Sequence, residues 1–322
     1  MTNSILPTPK DVREAATRIA GVVTRTPLVP AAELSAIVGG EVFLKLECLQ
    51  VGGSFKIRGA LNALLSLSKE ERARGVVASS AGNHGRGVAI AAEKLGIRAT
   101  VFVPNTAPAV KRDGIAACGA TVDASQPTYD GAERAAREAA ARTGATFVSP
   151  CTGRNLLAGA GTVALEILED LPTLRAVVVC VGGGGLVGGM GGYLKGAAAG
   201  VRVLGAQSVR TNAMALALAK GEATDIPDQP TLADGLAGLV DDEMFAQGRA
   251  ALDAIVTVEE TAIADAIRWA HRSMGLTVEG AGAVGIAAIR ARRLNPRGFP
   301  LAITVSGANI DPAKHAEIVA GK

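Results

Sequence analysis

The sequence has few aromatic residues, no paired cysteines and no long hydrophobic run, and each lack removes a class of protein. Aromatic side chains make up 3% of the 322 residues, too few to stack nucleic-acid bases. The formal net charge is only +3 and the basic residues are scattered rather than striped, so no nucleic-acid partner is expected. The four cysteines, Cys48, Cys118, Cys151 and Cys180, are far apart and form no CxxC pair. That spacing suits a reduced cytosolic protein better than a disulfide scaffold. No apolar run reaches the roughly 20 residues that a membrane span requires. The N-terminal "MTNSILPTPKDVREAATRIAG" also lacks the apolar core of a signal peptide. A cytoplasmic protein with no membrane partner is expected.

What is present is ample material for a core. Hydrophobic residues make up 48% and charged residues 20% of a chain whose length suits roughly two domains of about 150 residues each. Short β-branched runs alternate with alanine-rich helical ones. "VVASS" (76–80), "ATVFVP" (99–104), "ATFVSP" (145–150), "AVVVCV" (176–181), "VRVLGAQ" (201–207) and "LAITVSG" (301–307) read as strands. Apolar strands separated by 10–15-residue helices predict an α/β fold with buried, mainly parallel sheets. No repeat, low-complexity tract or linker appears, so a domain boundary lies in ordered chain and one domain may be inserted in another.

Four consecutive glycines, Gly182 to Gly185, follow an apolar strand and precede a helix in "CVGGGGLVGGM". Backbone N–H groups at a helix N-terminus make a ready anion site, above all for phosphate. A tight turn or close helix packing is the plainer use of such glycines. A dinucleotide fingerprint also wants an acidic residue about 20 positions on. Gln207 occupies that region and no Asp or Glu occurs between Asp170 and Glu222, so the nucleotide reading loses ground. In "ASSAGNHGRGVA" a strand again runs into a helix, past Ser79, Ser80, Gly82 and Asn83. Carboxylate binding and a well-capped helix without a ligand both fit it. The three histidines, His84, His271 and His315, lack metal-ligand spacing, and capping or packing suits His84 better than catalysis. Ser306 ends the last strand, on the side where ligands of open parallel sheets bind.

In "VGGSFKIRGAL" one lysine, Lys56, stands between Phe55 and Ile57. Desolvation lowers the pKa of an ammonium group, and a neutral amine is both nucleophile and base. Such amines form Schiff bases with carbonyl compounds, pyridoxal phosphate among them. A lysine whose stem merely covers apolar surface fits this stretch equally well. Taken with a phosphate cradle and a carboxylate-binding helix start, however, it fits a pyridoxal-phosphate enzyme acting on an amino acid.

The motifs "GSFKIRGA", "SSAGNHGRG", "AGAGTVALEIL", "VGGGGLVGG", "TLADGLAG" and "SGANID" together resemble the threonine/serine dehydratase and serine racemase family. The match follows the family's order and spacing over nearly the whole chain. The resemblance implies the tryptophan-synthase β-like fold (fold type II), with a large cofactor domain of residues 1–69 and 148–322. A small mobile domain, 70–147, is inserted in it and closes over the substrate. It implies pyridoxal 5'-phosphate, with Lys56 as the Schiff-base lysine and Phe55 beside the ring. Asn83 contacts the 3-hydroxyl, Gly182, Gly183, Gly184, Gly185 and Leu186 hold the phosphate, and Ser306 meets the pyridine nitrogen. Ser80, Ala81, Gly82, Asn83 and His84 bind the substrate carboxylate, and a homodimer or higher homo-oligomer is expected.

The departures narrow the expectation. Family racemases carry a serine where Ala81 stands, so one-sided proton removal by Lys56 and elimination are expected. Metal-activated members carry a glutamate at the position of Gln207, and a following aspartate is missing here, so no metal site is expected. "SPCTGRNLLAGAGT" and "VEGAGA" depart from dehydratase patterns near the substrate side chain. The resemblance implies a 3-hydroxy amino acid as substrate, either threonine or serine or a specialised one of the phenylserine, hydroxyaspartate or hydroxyectoine-pathway type. Little chain follows "SGANID", so feedback control through a C-terminal regulatory domain is not expected.

Overall fold

A computed structural model describes residues 5–294, 296 and 298–321. Ten strands form two sheets. The larger joins β1 (Leu28–Pro30), β2 (Val42–Lys45), β7 (Ala176–Cys180), β8 (Arg202–Ser208), β9 (Ala254–Val258) and β10 (Leu301–Thr304) in the order β1-β2-β10-β7-β8-β9. The smaller joins β3 (Val76–Ser79), β4 (Ala99–Pro104), β5 (Thr121–Gln126) and β6 (Thr146–Phe147) in the order β5-β4-β3-β6. Every pairing is parallel except β1 with β2. The expected mainly parallel α/β architecture is therefore present. Among the described residues no helix is long and apolar enough to cross a membrane.

Local chemistry accounts for these elements. β7 is buried at every position, because it has a parallel neighbour on each side and helices over the sheet. The helix Tyr129–Thr143 opens on Thr128, whose side chain accepts from the Gly131 N–H. It buries Ala132, Ala136 and Ala139 and ends at Gly144 in the left-handed conformation. Four strands lie outside the six expected ones. β5 ("TVDASQ") has no fully buried position, so no apolar run marks it, and β1, β2 and β9 are short or at a sheet edge. The strand runs expected over 145–150 and 301–307 are shorter, at 146–147 and 301–304, because the chain then leaves the sheet to form loops.

Three helices cross at glycines behind the larger sheet. A Cβ on Gly159, in the helix Arg154–Asp170, would lie 2.4 Å from the Arg58 carbonyl oxygen. One on Gly189, in the helix Gly185–Ala197, would lie 2.3 Å from that of Leu157. Backbones so close fix the helix Lys56–Leu65 against the other two.

A closed set of buried charges locks the same helix. The Arg58 guanidinium donates to Glu47 at 2.8 and 2.9 Å and to Glu166 at 2.7 and 2.9 Å. Lys45 Nζ donates to Glu166 and to the Thr26 carbonyl, both at 2.6 Å. Burial opposes the charge on Arg58, but the two carboxylates outweigh it and hold the guanidinium protonated. Glu47, equally buried, is held below the usual carboxylate range chiefly by Arg58. Removing one partner from such a set leaves an uncompensated buried charge. Arg58→Met is expected to lose about 3–5 kcal/mol, read as a lower denaturant midpoint at unchanged slope. Arg58→Lys recovers only part of the loss, because one ammonium cannot reproduce the two-sided fork.

Candidate active site

Lys56 is the first residue of its helix, and its amine donates to the Pro150 carbonyl oxygen at 2.8 Å. The nitrogen lies 5.3 Å from the centroid of the Phe55 ring. Phe55 is itself tied down, its N–H donating to the Ser306 carbonyl at 3.1 Å. Pro150 places Lys56 beside the glycine loop, because a Cβ on Gly185 would stand 3.3 Å from that same carbonyl.

The loop runs from the end of β7 into the helix Gly185–Ala197, turning at Gly184 with φ +90°, a conformation that favours glycine. A Cβ on Gly183 would lie 2.6 Å from the Cys151 sulfur and 3.0 Å from that of Met244. Only glycine fits between those two walls. The N–H groups of Gly182, Gly183, Gly184, Gly185, Leu186 and Val187 find no acceptor among the described residues. Six free donors at the positive end of a helix form a cradle for a phosphate, which is the fit that pyridoxal phosphate requires.

The second helix start, at Asn83, faces the same crevice. Asn83 Nδ2 donates to Glu279 Oε1 at 2.7 Å, and Asn83 Oδ1 accepts from Asn309 Nδ2 at 2.6 Å. A Cβ on Gly307, beside Ser306, would stand 3.2 Å from Asn83 Nδ2, so Asn83 and Ser306 meet at one place. The Gly82 N–H is taken by Ser80 Oγ, whereas those of Ala81, Asn83 and His84 have no acceptor among the described residues. His84 is buried and bonds to the Val148 carbonyl through Nε2 at 2.9 Å. Burial, with the charge of Lys56, pushes its pKa down to about 3 against that bond, so the ring is neutral. Ser306 is buried just beyond the end of β10, beside Cys180. Burial pushes the Cys180 thiol up to about 11, despite Ser306, so it stays protonated.

Lys56, Phe55, the glycine loop, Asn83, His84 and Ser306 therefore meet around one crevice, whereas His271 packs against His315 elsewhere. Reading the sequence did not find Pro150, Glu279 and Asn309, which orient Lys56 and Asn83. Glu279 had a signal: it is the one acid in the small-residue run "TVEGAGAVGIAAI". Among the described residues no cluster of three or more His, Cys, Asp and Glu side chains is placed to hold a metal ion.

Glu279 is the site's misplaced acid. Burial and the charge of Asp234 raise its pKa to about 7, against the Asn83 hydrogen bond. Its folded value lies above its unfolded one, so it supports the fold below the unfolded value and this support is lost as pH rises through about 4.5 to 7. Glu279→Gln is expected to flatten the fall in stability between pH 5 and 8, as measured by denaturant titration across that range.

Comparison with known proteins agrees with this geometry. Residues 19–307 match the family model described as pyridoxal-phosphate dependent enzyme. The chain is 44% identical over 303 residues to an L-threonine ammonia-lyase of Thermotoga maritima, covering 94% of this chain and 75% of the relative. It is 35% identical to a serine racemase of Oryza sativa subsp. indica, covering 93% and 90%. The solved structure of maize serine racemase superposes with a TM-score of 0.92 at 32% identity over 98% of each chain. With a lysine amine set beside a preformed phosphate cradle, and a family match spanning most of its length, the chain belongs to the pyridoxal-phosphate dependent enzymes.

Proposed function

We propose that the protein is an ammonia-lyase that removes water from a 3-hydroxy amino acid of the threonine or serine type, giving a 2-oxo acid and ammonia. The observation that carries this reading is the Lys56 amine, held 2.8 Å from Pro150 against six unpaired loop N–H groups. Bound pyridoxal phosphate supplies an electron sink for the electrons left at Cα. Gly182 to Leu186 bind its phosphate through backbone N–H groups. Phe55 packs beside its ring, and Asn83, oriented by Glu279 and Asn309, meets its 3-hydroxyl. Ser306 would meet the pyridine nitrogen, and a hydroxyl there, unlike a carboxylate, would leave that nitrogen largely neutral.

The substrate carboxylate goes to the free N–H groups of Ala81, Asn83 and His84, with Ser80 and Gly82 shaping the turn. Lys56 takes the Cα proton, a proton is returned from its ammonium to the departing β-hydroxyl so that it leaves as water, and the released enamine takes up water to give the 2-oxo acid and ammonia. Residues 70–147 form a small domain that closes over the substrate. The Lys111–Asp234 ion pair, at 2.8 Å, supports this, because it bridges the helix Ala109–Ala116 beside the smaller sheet to the turn Asp234–Leu236. The family resemblance further supports a homo-oligomer, and four unpaired cysteines support a cytoplasmic setting.

A racemase on the same scaffold is the second reading, favoured by the 0.92 TM-score to maize serine racemase. Ala81 opposes it, because it puts no hydroxyl on the face of Cα away from Lys56. Incubation with L-threonine, L-serine and bulkier 3-hydroxy amino acids should yield 2-oxo acid, measured by reductive coupling. A D-enantiomer formed without 2-oxo acid overturns the lyase reading. Lys56→Ala should abolish the visible absorbance of the holoenzyme and lower turnover by about 10²–10⁴-fold or more. Ala81→Ser should raise D-serine formation from L-serine, read by chiral chromatography.

A further inference from the structure

Gln207, in β8, is fully buried and uses every polar hydrogen of its amide. Nε2 donates to two backbone carbonyls, Val181 at 2.9 Å and Thr211 at 2.8 Å. Oε1 accepts from the Ala215 N–H at 2.9 Å. Two N–H groups and one carbonyl oxygen are thus all engaged.

These partners hold the glycine loop at two points. Val181 directly precedes Gly182, and its own N–H donates to the Ala206 carbonyl at 3.0 Å, so both flanking peptides are pinned. Ala215 lies in the first turn of the helix Ala213–Lys220, whose N-cap residue Asn212 supplies no side-chain bond. Gln207 provides the missing acceptor. That helix carries Met214, whose terminal carbon lies 3.5 Å from the place a Cβ on Gly184 would take. The amide therefore fixes the first residue of the loop directly and supports its left-handed turn through Met214.

Two carbonyl oxygens converging on one dry point need a donor or a cation between them. An amide NH₂ is such a donor, without net charge; a cation is the other chemical solution. We propose that Gln207 is a positioning residue for the phosphate-binding loop, its amide drawing together two carbonyls that would otherwise require a bound cation, so that the cradle is preformed without a metal. The inference rests on the reading of Gly182 to Leu186 as the cofactor-phosphate site.

The test measures pyridoxal phosphate affinity and apoprotein melting temperature for wild type, Gln207→Glu and Gln207→Met, each with EDTA and with millimolar magnesium or manganese. Wild type is expected to bind equally well in both conditions, an arm that needs no variant to fold. Gln207→Glu should lose about tenfold or more in affinity in EDTA and regain it with the cation, because a carboxylate and two carbonyls form a hard-cation donor set. Gln207→Met should lose affinity that no cation restores. A wild type whose affinity needs the cation overturns the proposal, as does a Gln207→Glu loss that the cation leaves unchanged. Gln207→Met with a lowered melting temperature but unchanged affinity also overturns it, showing a merely structural residue. A wild type with no affinity for pyridoxal phosphate instead overturns the proposed function, and this inference with it.

Discussion

Four buried charges, Lys45, Glu47, Arg58 and Glu166, sum to zero, and the placement of Lys56 depends on how they pair. Arg58 lies two residues beyond Lys56, so on a helix the two side chains leave nearly opposite faces. One face is anchored by ionic bonds to the turn after β2 and to the helix Arg154–Asp170. The other presents the amine to the crevice. Buried charges cost much desolvation, and a hydrophobic replacement of the whole set could be as stable. What the charges provide is direction, because a guanidinium fork bonded on two sides admits one rotation of its helix.

The crevice also sorts its ionisable groups by environment. His84 is kept neutral by burial and by the lysine nearby, and Glu279 is pushed toward protonation by burial and by Asp234. Asn83 is held between Glu279 and Asn309, leaving its position fixed before any ligand arrives. The site is rigid where it must orient and open only at its unpaired N–H groups.

Much of this was legible in the sequence, for identifiable reasons. Glycine runs, a strand-to-helix "SSAGNHG" and a lysine in apolar company each carry local chemistry that survives folding. The two-sheet architecture was legible from β7, β4 and β10, whose apolar runs mark strands buried on both faces. β5 was not legible, because this edge strand ("TVDASQ") carries mixed polar residues and no such run, whereas β9 ("AIVTV") has the β-branched run of a strand and was passed over. Pro150 and Asn309 were not assigned roles, and Gln207 was read only as a departure from the nucleotide and metal patterns, for a different reason. Their functions arise from backbone carbonyls and amide contacts across long stretches of chain, which no local pattern records. The glycines at Gly159 and Gly189 were visible, but the helix crossings they permit were not.

The position of β10 in the larger sheet has a consequence for synthesis. β10 sits between β2 and β7, with Leu301 beside Val42 on one side and Ala176 on the other. Until it is made, β2 and β7 have no shared neighbour, and Phe55 lacks the Ser306 carbonyl that its N–H bonds. Lys56 emerges from the ribosome early, while the strand that completes its surroundings emerges near the end. Such sequence separation slows folding and leaves apolar strand edges exposed on the nascent chain. The larger sheet therefore closes only once β10 has been added between β2 and β7.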